Sequence, residues 1–338
     1  MHLRYLLTRV VTSVAMAVAA TLVVFLIAHT VPADPILAQL GDKASANAEL
    51  VAKFRARWAL DQPLWEQYRI FLTRLLQGDL GEAIASRRPV LDDIKQYAPA
   101  TIELATLAAF LTMLVGVPLG VLAAVKRDGW LDHGARIGCL IGVSAPTFWL
   151  AFLALAIFYG GLQIAPSPGR LDAGAVPPPH VTGLFLVDSL LARDFATFRS
   201  ALAHMVLPAV VLAASTVGLI TRSTRASMLE TLGQDYVRVA RAKGLTEGAV
   251  ISRHAVPNAL IPVVTLGGLA YAELLAGTVL TETIFSWPGL GRYTYQSAIA
   301  LDFPAILGVT LLVAVIYLVM NFFVDVSYLF IDPRVGRR

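Results

Sequence analysis

Residues 235–262 read DYVRVARAKGLTEGAVISRHAVPNALIP, and this stretch decides how the rest of the chain is placed. It is polar and basic, and it lies between two long apolar segments, 201–221 and 258–281. A polar stretch so flanked is a loop at a membrane surface. Arg238, Arg241, Lys243 and Arg253 put it on the cytoplasmic side by the positive-inside rule. The loop also has internal order. Asp235 suits a helix N-cap, because its carboxylate accepts orphan N–H groups. The helix it starts runs through Arg241 and stops at Gly244, which tolerates the left-handed cap conformation. Thr246 is placed to cap a second short helix, and Pro257 opposes its smooth continuation. The expectation is a bent pair of short helices outside the bilayer. The plain alternative is a solvated loop that only fixes topology.

Composition sets the class. Of 338 residues, 57% are hydrophobic and 15% charged, and the mean hydropathy is +0.69. A soluble domain holds about 45–50% apolar and about 25% charged residues. This is therefore an integral membrane protein, all-α, with six spans fitting its length. The single cysteine, Cys139, lies in an apolar run and forms no intrachain disulfide.

Residues 10–28 are free of charge and follow Arg4 and Arg9, a run long enough to span. It exceeds the apolar core of about 7–15 residues of a cleavable signal, so a retained first helix is expected. Residues 31–97 are polar. Leu50, Val51, Phe54 and Trp58 mark one helical face, and Leu64, Tyr68, Phe71, Leu72 and Leu75 mark another behind Asp61 and Pro63. An external helical subdomain is expected there. Further spans are expected at 104–125, 137–162, 201–221, 258–281 and 304–324. Gly134, Gly138 and Gly142 open the third with small-xxx-small spacing, which lets helices approach closely. The organisation is thus a first helix (1–30), an external subdomain (31–97), a five-helix core (98–327) containing the loop 222–257, and a tail (328–338).

Charge placement fixes the orientation. Arg4, Arg9, Lys126, Arg127, Arg136, the six basic residues from Arg222 to Arg253, and Arg334, Arg337 and Arg338 fall on one side. The short loops opposite hold only Arg170, Arg193, Arg199 and Arg292. Both termini are expected in the cytoplasm. Once topology has absorbed these charges no basic stripe remains, which argues against a nucleic-acid role.

The loop resembles the EAA loop of permease subunits of binding-protein-dependent ABC importers. Ala240, Gly244 and Pro257 fall on the small, glycine and proline positions of the E-A-A…G…I-x-L-P pattern. Arg238, His254 and Val256 stand where the pattern has Glu, Ile and Leu. ARAKG followed by RHAVPNALIPVV is similar to the dipeptide, oligopeptide and nickel branch. TETIFSWPGLGR at 281–292 and GDLG at 78–81 are second and third matches, so the likeness runs in order through nearly the whole chain. The resemblance implies the type I importer permease fold in a bacterial inner membrane. It implies a homologous second permease subunit, two cytoplasmic ATPase subunits and an external substrate-binding protein as partners. ATP and Mg would be used by the ATPases, with no cofactor on this chain. The ATPase-coupling residues it implies are Asp235, Tyr236, Arg238, Ala240, Arg241, Lys243, Gly244 and Leu245. Ala240, being small, would permit close docking. The cargo stays open among dipeptides, longer peptides, haem, glutathione and nickel chelates.

The sequence carries no G-x-x-x-x-G-K-[ST] phosphate loop, no clustered metal ligands and no nucleophile motif. No catalytic residue is expected. Ionisable residues within spans are costly and usually face a cavity or a partner. Glu103 and Glu282 fall near span ends, within expected reach of water. Glu273 lies roughly 13 Å deeper than Glu282 on a continuous helix. Glu273 and Glu282 are therefore candidates for the pathway of a cationic peptide amino terminus; the alternative for Glu273 is an interhelical hydrogen bond or a protonated acid. Trp287, Pro288, Gly289 and Gly291 are candidates for the external mouth, with Trp287 and Tyr293 alternatively interfacial anchors. A stand-alone ion-coupled secondary transporter is the rival class. It would show internal repeats and several buried charges, whereas one deep acid and no clear repeat are present.

Overall fold

The computed structural model describes residues 2–30, Glu49, Ala52, 61–276 and 278–331. A bilayer offers no water to backbone N–H and C=O groups, so long apolar runs fold as helices that pair these groups internally. In order these are α1 His2–Thr30, α2 Leu64–Leu76, α3 Val90–Val125, α4 Trp130–Ser144, α5 Thr147–Ala154, α6 Phe185–Leu191, α7 Phe195–Leu232, α8 Asp235–Ala242, α9 Glu247–Val250, α10 Val256–Ala276, α11 Val279–Ile284, α12 Leu290–Ile299 and α13 Phe303–Ile331. α5 runs on as a π-helix, Leu155–Gly161, and a second π turn, Ile251–Ala255, joins α9 to α10. Among the described residues there is no strand, only an isolated bridge between Glu82 and Pro89.

Among the described residues, five stretches are long and apolar enough to cross a membrane: Leu7–Leu26, Val90–Val125, Phe195–Leu232, Glu247–Ala276 and Phe303–Val324. The third expected span is not one rod. α4 and α5 meet at 99°, and the count reaches six when this bent pair is taken as one span. The cause is Pro146, which lacks the N–H a helix needs and forces the residue before it out of helical geometry. Ala145 accordingly sits at φ −80°, ψ 127°. Pro99 and Pro118 lie inside α3 without breaking it.

The centre of the fold is the pair α3 and α7. They have 36 and 38 residues. At about 1.5 Å per residue both exceed the hydrocarbon thickness of about 30 Å, so each projects beyond it. Small residues set their spacing. A Cβ on Gly116 would lie 3.0 Å from Ile220, and one on Gly120 2.6 Å from Thr224. The Thr112 and Thr216 hydroxyls meet across this seam at 2.7 Å. α4 also packs closely on α7, with Gly218 under the Cys139 carbonyl and Gly142 beside that of Ala214. Of the expected glycine row only Gly142 makes such an approach; Gly134 and Gly138 have nothing within 4 Å.

The core divides by depth. At the end carrying the basic loop, Ala124, Met228, Ala255 and Ala259 join α3, α7 and α10. At the far end, Leu104, Met205, Ala209, Leu274 and Trp287 form one cluster. Val90, Ile94, Leu290, Tyr293, Ala305 and Val309 form another there. α2 lies on α1, with the Phe25 ring 5.4 Å from Tyr68 and 5.7 Å from Phe71. The face expected from Leu50, Val51, Phe54 and Trp58 lies outside the described residues.

Candidate functional site

The basic loop folds as a helical hairpin. Val237 and Ala240, one turn apart on α8, are buried against Val250 and Leu232. Three features end α8 and turn the chain. Gly244 takes φ +78°. Its N–H donates to the Arg241 carbonyl at 2.9 Å. Arg241 then makes a fork on Glu247 across the turn, at 3.0 and 2.6 Å, and this bond raises the Arg241 pKa. Asp235 does not cap the helix as expected. Gln234 holds the cap position, no side chain bonds there, and Asp235 pairs with Arg238 at 3.0 Å. Ala240 also departs from expectation. It faces its own chain rather than a docking partner, because residues three apart share a helix face and Val237 already points inward. The outward surface is Tyr236, Val239 and Leu245, all exposed, with Arg238, Lys243 and Gly244 beside them.

Pro257 does not interrupt the path into the membrane either. The chain from Glu247 to Ala276 is one continuous helical stretch. The π turn makes this possible: the Val256 N–H reaches back to the Ile251 carbonyl, widening the ladder where the proline ring enters. Asn258 Nδ2 donates to the His254 carbonyl at 2.8 Å just beyond this turn.

The other two sequence motifs meet at the far end. In the first, Gly78 and Gly81 have φ of +78° and +86°, and the turn they make leads into α3. In the second, the segment from Trp287 to Arg292 wraps the carboxylate of Glu282. Thr101 and Thr278 donate to Oε1 at 2.6 and 2.9 Å, and the Arg292 N–H donates to Oε2 at 3.0 Å. Gly289 has no side chain because a Cβ there would lie 2.5 Å from both Glu282 oxygens. Trp287 is buried, its Nε1 donating to the Ala100 carbonyl at 2.9 Å. Tyr293 stacks on Tyr97 and donates to Asp93 at 3.1 Å. Neither aromatic is an interfacial anchor; both are core. Glu282 is fully buried, so the water access expected of it is absent and it serves as a hub for α3, α11 and α12.

The residues matched by family models cover most of the chain. Residues 116–337 match the model described as "Binding-protein-dependent transport system inner membrane component". Residues 2–105 match the one for the N-terminal part of such membrane components. The chain belongs to the family of binding-protein-dependent transport system inner membrane components. Among relatives of this membrane component, the chain is 47% identical over 315 residues to the probable D,D-dipeptide transport system permease protein DdpB of Escherichia coli K12, covering 93% of this chain and 92% of that one. It is 40% identical over 338 residues to the dipeptide transport system permease protein DppB of the same organism, covering 99% of each. A solved structure of the MetNI methionine ABC transporter aligns with 18% identity and a TM-score of 0.49, over 69% of this chain and 93% of that one.

The acidic residues of this inner membrane component divide by environment. Glu273 is exposed on α10. It does not sit a fixed helical distance below Glu282, because α10 ends at Ala276 and α11 begins at Val279. Glu103 is buried rather than open to water. Arg170 donates to its Oε2 at 2.6 Å and the Leu186 N–H to its Oε1 at 2.6 Å. The Arg170 guanidinium lies 3.5 Å over the Phe185 ring. These contacts tie the 165–184 segment to α3 and α6. On α6, Asp188 is buried, which alone would raise its pKa. The Thr182 hydroxyl and the N–H groups of Val181, Thr182 and Gly183 outweigh that and hold it below the usual carboxylate range. Sequence reasoning passed over Arg170, Asp93 and the Asp132–Arg225 pair, whose partners lie far apart along the chain.

Proposed function

We propose that the chain is the permease subunit of an ATP-driven importer that carries dipeptides or short peptides across the bacterial inner membrane. Near-full-length identity to two permeases named for dipeptide transport carries this reading. A homologous permease subunit would complete the pathway, two cytoplasmic ATPases using ATP and Mg would supply the energy, and an external binding protein would deliver the cargo. The hairpin of α8 and α9 would be the coupling element, with Tyr236, Val239 and Leu245 seated in a groove on one ATPase. Two features support this role. An exposed apolar face rimmed by Arg238 and Lys243 suits a protein partner, and the stretch from Glu247 to Ala276 would carry a movement of the hairpin into the membrane.

Glu273 would line the pathway. A carboxylate exposed on a span is too costly to face lipid, so it faces a partner or a cavity. Glu273→Gln is then expected to reduce uptake of peptides with a free amino terminus more than of blocked ones; equal loss for both would assign it to packing.

The deciding experiment is uptake into liposomes of labelled dipeptide by this chain, alone and with the partner permease, ATPases and binding protein. Transport only in the complete system with ATP is expected. ATP-independent uptake by the chain alone would replace this reading with a secondary transporter.

A further inference from the structure

A cavity of about 780 Å³ opens at the basic-loop end between the α3–α4 turn and α7. Its wall holds Arg127, Arg136, Arg222 and Arg225, with Ile137, Leu140 and Leu229. Two of the arginines are already neutralised. Arg225 makes a two-pronged pair with buried Asp132, both contacts 2.6 Å, and Arg127 lies 3.3 Å from Asp128. Arg136 and Arg222 have no carboxylate in an ion pair among the described residues; Arg222 Nε only reaches the Gly218 carbonyl, at 3.3 Å. Asp132 also attracts Arg136 across one helical turn, so the cavity sets four guanidinium groups against two carboxylates, Asp128 in its wall and Asp132 behind it, and keeps a surplus of positive charge.

Its depth is informative. The apolar run of α3 ends at Val125, that of α7 at Thr221, and that of α4 begins at Ile137. Lys126, Arg222 and Arg136 are the next residues in each case, and Arg127, Arg222 and Arg136 line this one cavity, so three helices change from apolar to basic beside it. Below the rim, Ile137 and Leu140 are 60% and 64% exposed. A site with cations above and bare aliphatic side chains below matches a phosphodiester joined to acyl chains.

We propose that this cavity holds an anionic phospholipid, its phosphate between Arg136 and Arg222 and an acyl chain along Ile137 and Leu140. Guanidinium groups suit phosphate oxygens because their N–H donors form a planar fork, and basic pockets between spans recognise anionic headgroups. The bound lipid would hold the bent α4 to the end of α7, next to the coupling hairpin. The pocket stands on this chain alone; only the leaflet it faces rests on the orientation proposed above.

The test uses the complex as it purifies, placed in nanodiscs of phosphatidylcholine with a minor share of phosphatidylglycerol, and native mass spectrometry of the lipid retained on this chain. Wild type is expected to retain phosphatidylglycerol selectively. The double variant Arg136→Gln/Arg222→Gln is expected to bind it about thirtyfold more weakly, from two lost phosphate contacts. The pair Arg136→Lys/Arg222→Lys, which keeps the charge, should remain selective, as should Arg253→Gln, which removes an exposed charge outside both the cavity and the docking face. Absence of selectivity in wild type overturns the proposal, as does selectivity that survives the double variant or falls equally in Arg253→Gln. Loss of the partner permease from the double variant with its lipid retained would make these arginines a protein contact. Equal stabilisation by inorganic phosphate in pure phosphatidylcholine would make the site one for a free anion. Because lipid retention is read directly, a failure of peptide transport leaves this result distinct.

Discussion

Gly289→Ala tests the buried hub at the far end. Gly289 sits at φ −113°, ψ −176°, extended backbone that any residue adopts, so the change brings no conformational strain. What it brings is a methyl group 2.5 Å from Glu282 Oε1, Glu282 Oε2 and Thr101 Oγ1. These oxygens cannot easily retreat. Oε1 is held by Thr101 and Thr278, Oε2 by the Arg292 N–H, and Thr101 Oγ1 also accepts from the Leu290 N–H at 2.8 Å. Overpacking costs about 1–3 kcal/mol. Breaking one hydrogen bond to a buried carboxylate costs about 1.5–3 kcal/mol more. The expected loss is therefore about 2.5–6 kcal/mol, the sum of the two. Gly134→Ala is the matched control. It lies within α4 with open space around it, and alanine there favours the helix by up to about 1 kcal/mol. Thermal unfolding in detergent, followed by size-exclusion recovery, should show Gly289→Ala melting far below wild type and Gly134→Ala at or above it. Equal melting of the two variants would refute the claim that the Trp287–Arg292 turn is shaped around Glu282.

Other expectations follow from the same structure. Gly244→Glu meets no atom within 4 Å but must hold φ +78°, at a cost of roughly 1 kcal/mol or more; it should leave the protein in the membrane, reduce copurification of the ATPases and abolish uptake, and normal recovery with normal uptake would remove the coupling role. Arg170→Ala strands the buried Glu103 carboxylate and should cost about 3–5 kcal/mol. The double change Arg170→Leu/Glu103→Leu should cost less, with protease cleavage between residues 165 and 184 as the readout; equal cleavage of both variants and of wild type would show that the pair does not hold the segment. A reporter active only outside the cytoplasm should work when fused after Glu82 or Asp188 and be silent after Gly248; activity at Gly248 would reverse the orientation.

Much of the architecture was legible because hydropathy and helical length are local properties. The charge-free runs before Ala28, after Leu104 and after Ala201 each became helix. The stop at Gly244 was legible for the same reason, since positive φ is a property of one residue. The bend at Ala145 was also written locally, in Pro146, but an apolar proline-containing run reads equally as a straight span; α3 keeps Pro99 and Pro118 without breaking. What could not be read was pairing at a distance. Arg170 with Glu103, Arg225 with Asp132 and Gly289 around Glu282 depend on which helices become neighbours. Glu282 looked like a pathway acid for this reason: burial within a span and burial within a hydrogen-bonded hub give the same letter in the same apolar context.

The π turn at Ile251–Ala255 has a consequence for how the hairpin is aimed. A π turn holds one residue more than the α-helix it interrupts. Each residue of an α-helix advances the chain by about 100° around its axis, so one residue added to an unbroken helix would swing everything beyond it by that angle. A π turn takes more residues to go once around, so the surplus residue is absorbed within the turn. Removing Ser252 would let the stretch close as ordinary α-helix with the hairpin still on its present bearing. Closing it as α-helix with every residue kept would instead turn Tyr236, Val239 and Leu245 by about 100° about the α10 axis and aim them at a different neighbour. The wide turn is thus a slack link at the membrane boundary that takes up one residue without re-aiming the docking face.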